Sequence, residues 1–312
     1  MNTAKIKSYA KINLTLDIVG EANGYHLLDS FVASLDLYDL VVVRKRKDKL
    51  ISVTMRGMGS EGISPEENNA AKAGEAFVER FGTSGANIAV YKNIPLGAGL
   101  GGSSADAAGV LNGMAKLYGI SDSEALGALA DRLGSDTRYM LKGGFCRMQG
   151  RGEKLFPLPA KGKKLYFFLI CPKSSVSAGD CYREYDKGGN LYAPEEKNTQ
   201  KCIDAFLDGK TEDVGRYLTN ALYEPAARLN EEVEKALSEA RSFSPLGAAM
   251  TGSGSCAAAL FETKELCEWA KSRYRGKFRT YVAGTVIPEE KRKLFRSPFF
   301  LSKEEREGTE QS

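Results

Sequence analysis

The sequence of 312 residues contains a single histidine, and its six cysteines are scattered with no C-x-x-C pair. Tetrahedral metal sites are built from clustered cysteine and histidine, so the chain lacks the ligands of a protein-held transition metal. Dispersed cysteines read as free thiols of a reducing compartment, which points to the cytoplasm. Long hydrophobic runs are missing too. The longest, Leu165–Cys171, is far shorter than the roughly 20 residues that span a membrane. Near the N-terminus Asn13 and Asp17 interrupt the apolar stretch that a signal peptide needs. Basic and acidic residues nearly balance, and the net charge of +4 is too small to imply a nucleic-acid partner. Internal repeats are absent. What remains is 42% hydrophobic and 27% charged, the composition of an ordinary globular protein with room for one large domain or two smaller ones.

Periodicity supplies the elements. In "KINLTLDIV", Lys11–Val19, Ile12, Leu14, Leu16 and Ile18 share one face, and Lys11, Asn13, Thr15 and Asp17 the other. This predicts a half-buried strand presenting Lys11 and Asn13 side by side. Phe31–Val43, Leu50–Met55, Asn87–Asn93, Leu165–Cys171 and Arg279–Val286 also read as strands. Helices are expected from Asn68 or Asn69 to Phe81, after the glycine loop to Tyr118, from a Ser121-x-x-Glu124 capping box to Gly134, and at 202–207, 213–222, 231–241 and 262–275. Gly150–Lys164 looks like a linker and Gly188–Gln200 like a long polar loop. Strands and helices mix in both halves, which gives an α+β class with two domains.

The most distinctive stretch is "PLGAGLGGSSADAAGVL", Pro95–Leu111. Gly97, Gly99, Gly101 and Gly102 let the backbone take positive φ and let a ligand approach the main chain. Ser103 and Ser104 are placed to cap the helix that follows. A helix N-terminus carries unsatisfied N–H groups and partial positive charge, which favours a phosphate. Gly97, Gly99 and Gly102 satisfy G-x-G-x-x-G, but Ile94 and Pro95 separate them from the preceding strand, and Asp122 opens a helix instead of closing a second strand. A P-loop is excluded because Ser103 stands where its lysine must be. The plain alternative is a glycine-rich surface turn with a capped helix behind it; if the loop holds a phosphate, it is of a third kind.

Three stretches together resemble the GHMP-superfamily kinases. Pro95, Gly99, Leu100, Gly101, Gly102, Ser103, Ser104 and Ala105 fit the phosphate loop P-x-x-x-G-L-x-S-S-A, and "MTGSGSC", Met250–Cys256, is similar to the C-terminal glycine motif. "SYAKINLTLDIVGEANGYH", Ser8–His26, resembles the branch whose acceptor is a cytidine-diphosphate-linked alcohol. The resemblance implies a two-domain GHMP kinase fold with the active site in the cleft between the domains. The expected parts are an ATP-binding domain over 1–155, a C-terminal domain over 165–287 and a peripheral or disordered tail over 288–312.

ATP and Mg²⁺ are the implied cofactors and a small molecule the implied partner, with neither nucleic acid nor membrane. The loop from Pro95 through Gly97 to Ser104 would bind ATP, and Mg²⁺ would be held mainly by the nucleotide, with Ser104 as its one protein contact. Asp136, in "LGSDTRYMLKGG", is implied as the base and Lys11 as its charged partner. Taken alone, Asp136 reads as a helix cap and Lys11 as a solvated strand lysine. Tyr25 is implied to stack on cytosine, His26 to bond its edge and Tyr182 to cover the other face, although Tyr182 reads equally well as an ordinary half-buried tyrosine. Asn13, Gly252, Ser253 and Gly254 complete the expected substrate side. Thr137 and Arg138 stand where the family has valine and proline, and Ser103 and Ala105 where it commonly has glycine and serine. Two other functions compete: a GHMP kinase for a mevalonate- or homoserine-like acceptor, against which "GYH" with Tyr182 argues, and a non-catalytic nucleotide sensor, against which Lys11 with Asp136 argues.

Overall fold

The structure is a computed structural model and describes residues 2–57, 68–160, 162–188 and 198–288. The first sheet is organised by one long strand. β1 (Thr3–Asn13) and β2 (Thr15–Ala22) run end to end along one edge of β3 (Tyr25–Lys45), broken only at Leu14. β4 (Ile51–Gly57) pairs with β5 (Ala86–Lys92), which joins the far half of β3. β6 (Phe145–Gly150) joins its near half, followed outward by β7 (Lys154–Leu158). The segment expected as a linker is therefore partly strand. Leu155 pairs with Met148 and Phe156 with Arg147, a pairing that the lysines and glycines around β7 obscure in the sequence.

β8 (Tyr166–Cys171) opens a second sheet. The two-residue β9 (Thr219–Asn220) returns to the first sheet beside β2. β10 (Gly247–Met250), β11 (Ala257–Phe261) and β12 (Arg279–Gly284) complete the second, in the order β10-β11-β8-β12. β8 is apolar throughout because both of its faces are covered. Phe167, Leu169 and Cys171 pack with Ile12 and Leu14 of the first sheet, whereas Phe168 and Ile170 pack under helices on the opposite side.

The helices in chain order are α1 (Asn69–Phe81), α2 (Gly102–Tyr118), α3 (Ser123–Leu133), α4 (Thr137–Lys142), α5 (Ala178–Lys187), α6 (Asn198–Asp208), α7 (Thr211–Arg216), α8 (Tyr223–Leu229), α9 (Glu231–Arg241) and α10 (Lys264–Arg273). α1, α2 and α3 bury Phe77, Val110, Leu111, Met114 and Leu129 against Val41, Val43 and Val90 of the first sheet. The helix expected at 213–222 stops at Arg216, because Thr219 and Asn220 pair with Thr15 and Leu16. The cap of α3 is Asp122, whose side chain accepts from the Ala125 N–H, and not Ser121. Most of the polar loop expected at 188–200 and all but the first residue of the tail lie outside the described residues. No helix among the described residues is long and apolar enough to cross a membrane. All six cysteines are buried free thiols.

Candidate active site

The polar face that runs from Lys11 at the end of β1 to Asp17 of β2 does not meet solvent. Lys11, Asn13, Thr15 and Asp17 are all buried, because the glycine loop, the 250–256 loop and α6 cover them. A register shift between Tyr9 and Lys11 takes the strand out of regular pairing, so that the Lys11 N–H donates to the Leu100 carbonyl of the glycine loop at 3.0 Å. The loop thus docks on the residue expected to work beneath it.

Lys11 Nζ donates to Asn13 Oδ1 at 2.5 Å and stands 3.5 Å from Asp136 Oδ2. Asn13 Oδ1 also accepts from the Gly252 N–H at 3.1 Å, and Asn13 Nδ2 donates to Ser30 Oγ at 2.8 Å. Asn13 lines the cavity, but its polar atoms brace the lysine and the second glycine loop. Asp136 occupies the cap position of α4 and makes no capping bond; its side chain turns toward Lys11 instead. Thr137 is fully buried, and Arg138 makes a two-pronged pair with Asp131 of α3. Both of these departures from the family pattern therefore lie outside the cavity lining.

The two glycine loops interlock through their backbones. Gly99 has φ 73°, and a Cβ there would lie 2.0 Å from the Thr251 carbonyl oxygen. A Cβ on Gly252 would lie 2.7 Å from the Gly99 oxygen. Only glycine permits so close an approach. The Cys256 N–H donates to the Ala98 carbonyl at 3.3 Å, and Asn220 Nδ2 donates to the carbonyls of Met250 at 2.8 Å and Gly252 at 2.9 Å. α2 begins at Gly102 behind Gly101 in the left-handed conformation, with no side-chain cap. The expected capping by Ser103 and Ser104 is thus corrected: Ser103 Oγ accepts from Asn69 Nδ2, and the first turn of α2 faces the cavity.

Beneath that turn sits an ion triad that the sequence did not announce. Lys92 Nζ bonds Asp39 and Asp106, all three buried. Burial opposes the charge of Lys92, and the two carboxylates overcome it and raise its pKa. Burial, the largest influence, pushes Asp106 up to about 7, helped by the neighbouring Asp39 charge. Asp106 Oδ1 has no hydrogen-bond partner.

A cavity of about 700 Å³ joins these parts. Lys11 and Asp136 lie in its wall with the glycine loop from Pro95 to Ser104 on one side and Gly252 and Ser253 beside it. Tyr25, His26 and Tyr182 line the cavity as well. Gly254 does not reach the cavity; it turns the 250–256 loop with φ 93°, and a Cβ there would lie 2.8 Å from Met250 Sδ. The Arg151 guanidinium lies 3.5 Å from the centroid of the Tyr25 ring, a cation–π contact. Burial, with the Asp136 charge as a lesser contributor, raises the Tyr182 pKa. The arrangement offers an anion cradle, a carboxylate with an adjacent ammonium, and an aromatic end, which are the parts of a phosphoryl transferase with a flat-ringed ligand.

Residues 68–145 match the family described as GHMP kinases N terminal domain, and residues 202–278 match GHMP kinases C terminal. The chain is 33% identical over 288 residues to the 4-diphosphocytidyl-2-C-methyl-D-erythritol kinase of Clostridium beijerinckii, covering 88% of this chain and 99% of the relative. It is 37% identical to the same-named enzyme of Carboxydothermus hydrogenoformans, covering 85% and 90%. Among solved structures, a 4-(cytidine 5'-diphospho)-2C-methyl-D-erythritol kinase superposes with a TM-score of 0.73 at 28% identity, over 90% of this chain and 99% of that one. The L. major mevalonate kinase shares the fold with a TM-score of 0.70 at 16% identity, over 90% of this chain and 95% of that one. This last likeness is one of fold, whereas identity along most of the chain carries the likeness to the curated relatives, and on that ground the chain belongs to the 4-diphosphocytidyl-2-C-methyl-D-erythritol kinase family of the ATP-dependent GHMP kinases.

Proposed function

We propose that this chain transfers the γ-phosphoryl group of ATP to the 2-hydroxyl of 4-diphosphocytidyl-2-C-methyl-D-erythritol, a step in making isoprenoid precursors by the non-mevalonate route. The observation that carries the reading is the Lys11–Asp136 pair, 3.5 Å apart, in one cavity with the glycine loop and the Tyr25, His26 and Tyr182 rings. Asp136 takes the proton of the acceptor hydroxyl as its oxygen bonds to the γ-phosphorus and the bond to the departing ADP oxygen breaks. Lys11 compensates charge on the transferring group. The glycine-loop N–H groups and the first turn of α2 hold the nucleotide phosphates. Tyr25 and Tyr182 receive the cytosine ring, and His26 reads its edge. The division into domains near 155–165 follows the same reading.

Mg²⁺ supplies charge neutralisation at the β- and γ-phosphate oxygens in such reactions. The ion would be carried mainly by the nucleotide, and Ser104, which lines the cavity at the first turn of α2, offers a hydroxyl oxygen that would suit it. The test is ADP release by purified protein with the cytidine-linked alcohol, mevalonate and homoserine, each with ATP and with or without Mg²⁺. Turnover restricted to the cytidine-linked alcohol and dependent on Mg²⁺ is expected. Equal turnover of mevalonate or homoserine would overturn the assignment.

A further inference from the structure

The single histidine of the chain is held from two sides. His26, at the start of β3, has Nε2 2.7 Å from Oδ1 of Asp186, 160 residues away in sequence. Its face lies on the Tyr182 ring, with centroids 4.9 Å apart and planes 17° from parallel. Asp186 and Tyr182 both come from α5, four positions apart and so on one face of that helix. Asp186 is the penultimate residue of α5, where the helix dipole disfavours an acid. The cations of that helix are engaged elsewhere, Lys187 with Glu184 and Arg183 with Asp180. The partner of Asp186 is the imidazole across the cavity mouth.

This contact fixes more than a position. A carboxylate only accepts hydrogen bonds, so the nitrogen facing it must carry the proton, and in a neutral ring Nδ1 is left with the lone pair. The two pyrimidines differ in what they offer at that edge. Cytosine has an amino donor at position 4, whereas uracil has an oxygen acceptor there. A lone pair on Nδ1 accepts from the amino group and opposes the oxygen. Stacking on Tyr25 or Tyr182 cannot make this distinction, because every base has a π-face.

We infer that Asp186 is a specificity-determining positioning residue. It holds the neutral His26 ring as the Nε2–H tautomer, Tyr182 fixes the plane of the ring, and Nδ1 is thereby the acceptor that selects a 4-amino pyrimidine. The inference rests on the reading that the cavity takes a cytidine-linked acceptor.

Because the chain has one histidine, protein prepared without a histidine tag and labelled with ¹⁵N-histidine gives one pair of imidazole signals. With the ring in its neutral form, Nε2 should appear protonated and Nδ1 unprotonated. In Asp186→Ala both signals should move toward the average of the two tautomers. In kinetics, the ratio of kcat/KM for the cytidine-diphosphate over the uridine-diphosphate form should fall roughly tenfold in Asp186→Ala, with the change carried by KM, and Asp186→Glu should recover part of it. Unchanged imidazole signals, or a wild-type preference for cytidine that survives Asp186→Ala, would overturn this inference alone. A wild-type enzyme with no preference for cytidine would overturn the underlying functional reading and the inference with it.

Discussion

Lys11 and Asp136 face each other at 3.5 Å although neither position serves its own element. Lys11 sits on a buried strand face where an ammonium has to be compensated, and Asp136 holds a cap position without capping. A carboxylate released from the backbone and set beside an ammonium, in one cavity with the glycine loop, is the arrangement that the proposed role of Asp136 in proton transfer requires.

Asp136→Asn should therefore fold like the parent, since no capping bond is lost, and lose kcat by about 10²–10⁴. The measurement is kcat together with thermal melting. A fall of less than about tenfold, or a large drop in Tm, would return Asp136 to a structural role.

Gly99→Ala tests the interlocked loops. The new Cβ would sit 2.0 Å from the Thr251 carbonyl oxygen, at a backbone conformation that alanine avoids. The two loops must separate, so KM for ATP should rise at least about tenfold. Gly82→Ala, also at positive φ but with open space around its Cβ, is the control for backbone strain alone and should leave KM for ATP unchanged.

The glycine loop, the strand carrying Lys11 and the aromatic "GYH" were legible in the sequence because each is local, set by glycine, by a period of two or by adjacent residues. The burial of the polar strand face was not. Thr15 and Asp17 looked solvated, yet Asp17 accepts from the N–H and Oγ1 of Thr199, and burial raises its pKa. Thr199 is 182 residues away, and nothing in a period of two says that a helix will come back over the outer face. The same holds for Asn220 and for the Lys92 triad. Single polar residues whose partners come from another element leave no pattern to read. Capping failed differently: serines at a helix start are the usual caps, but at α2 glycine took the position and left the first N–H groups without a side-chain cap.

Asp106→Asn should change how stability depends on pH. The folded-state pKa is about 7 against an ordinary 3.8, so between these values the folded protein holds a proton that the unfolded chain has released. Its stabilising contribution is complete below about pH 4 and is lost as pH rises through 7. Lys92 titrates above its ordinary 10.5 and stays charged throughout. Tm measured from pH 6 to 8 should fall in the parent by about 1.5–2 °C more than in the variant, the equivalent of ~1 kcal/mol in a chain of this size. Parallel Tm curves would mean that Asp106 is ionised across this range.

Asn220→Ala should separate positioning from binding. Asn220 touches no expected ligand group, but its Nδ2 satisfies the Met250 and Gly252 carbonyls and its Oδ1 accepts from the Leu222 N–H. Alanine leaves these buried groups unpaired, at about 1–3 kcal/mol for each one that water cannot reach. The 250–256 loop would then lose its outer support while keeping its contacts with the first glycine loop and Asn13. Through the Gly252 N–H and Asn13 Oδ1, that loop also reaches Lys11. Both Tm and kcat should fall, with kcat reduced about tenfold, while KM for the cytidine-linked acceptor changes little because the aromatic end is untouched. Asn220→Asp keeps the acceptor for Leu222 but presents an oxygen to the two carbonyls, so it should be at least as damaging as alanine. If Asn220→Asp matched the parent in Tm and kcat, the bonds to Met250 and Gly252 would not be what holds the loop.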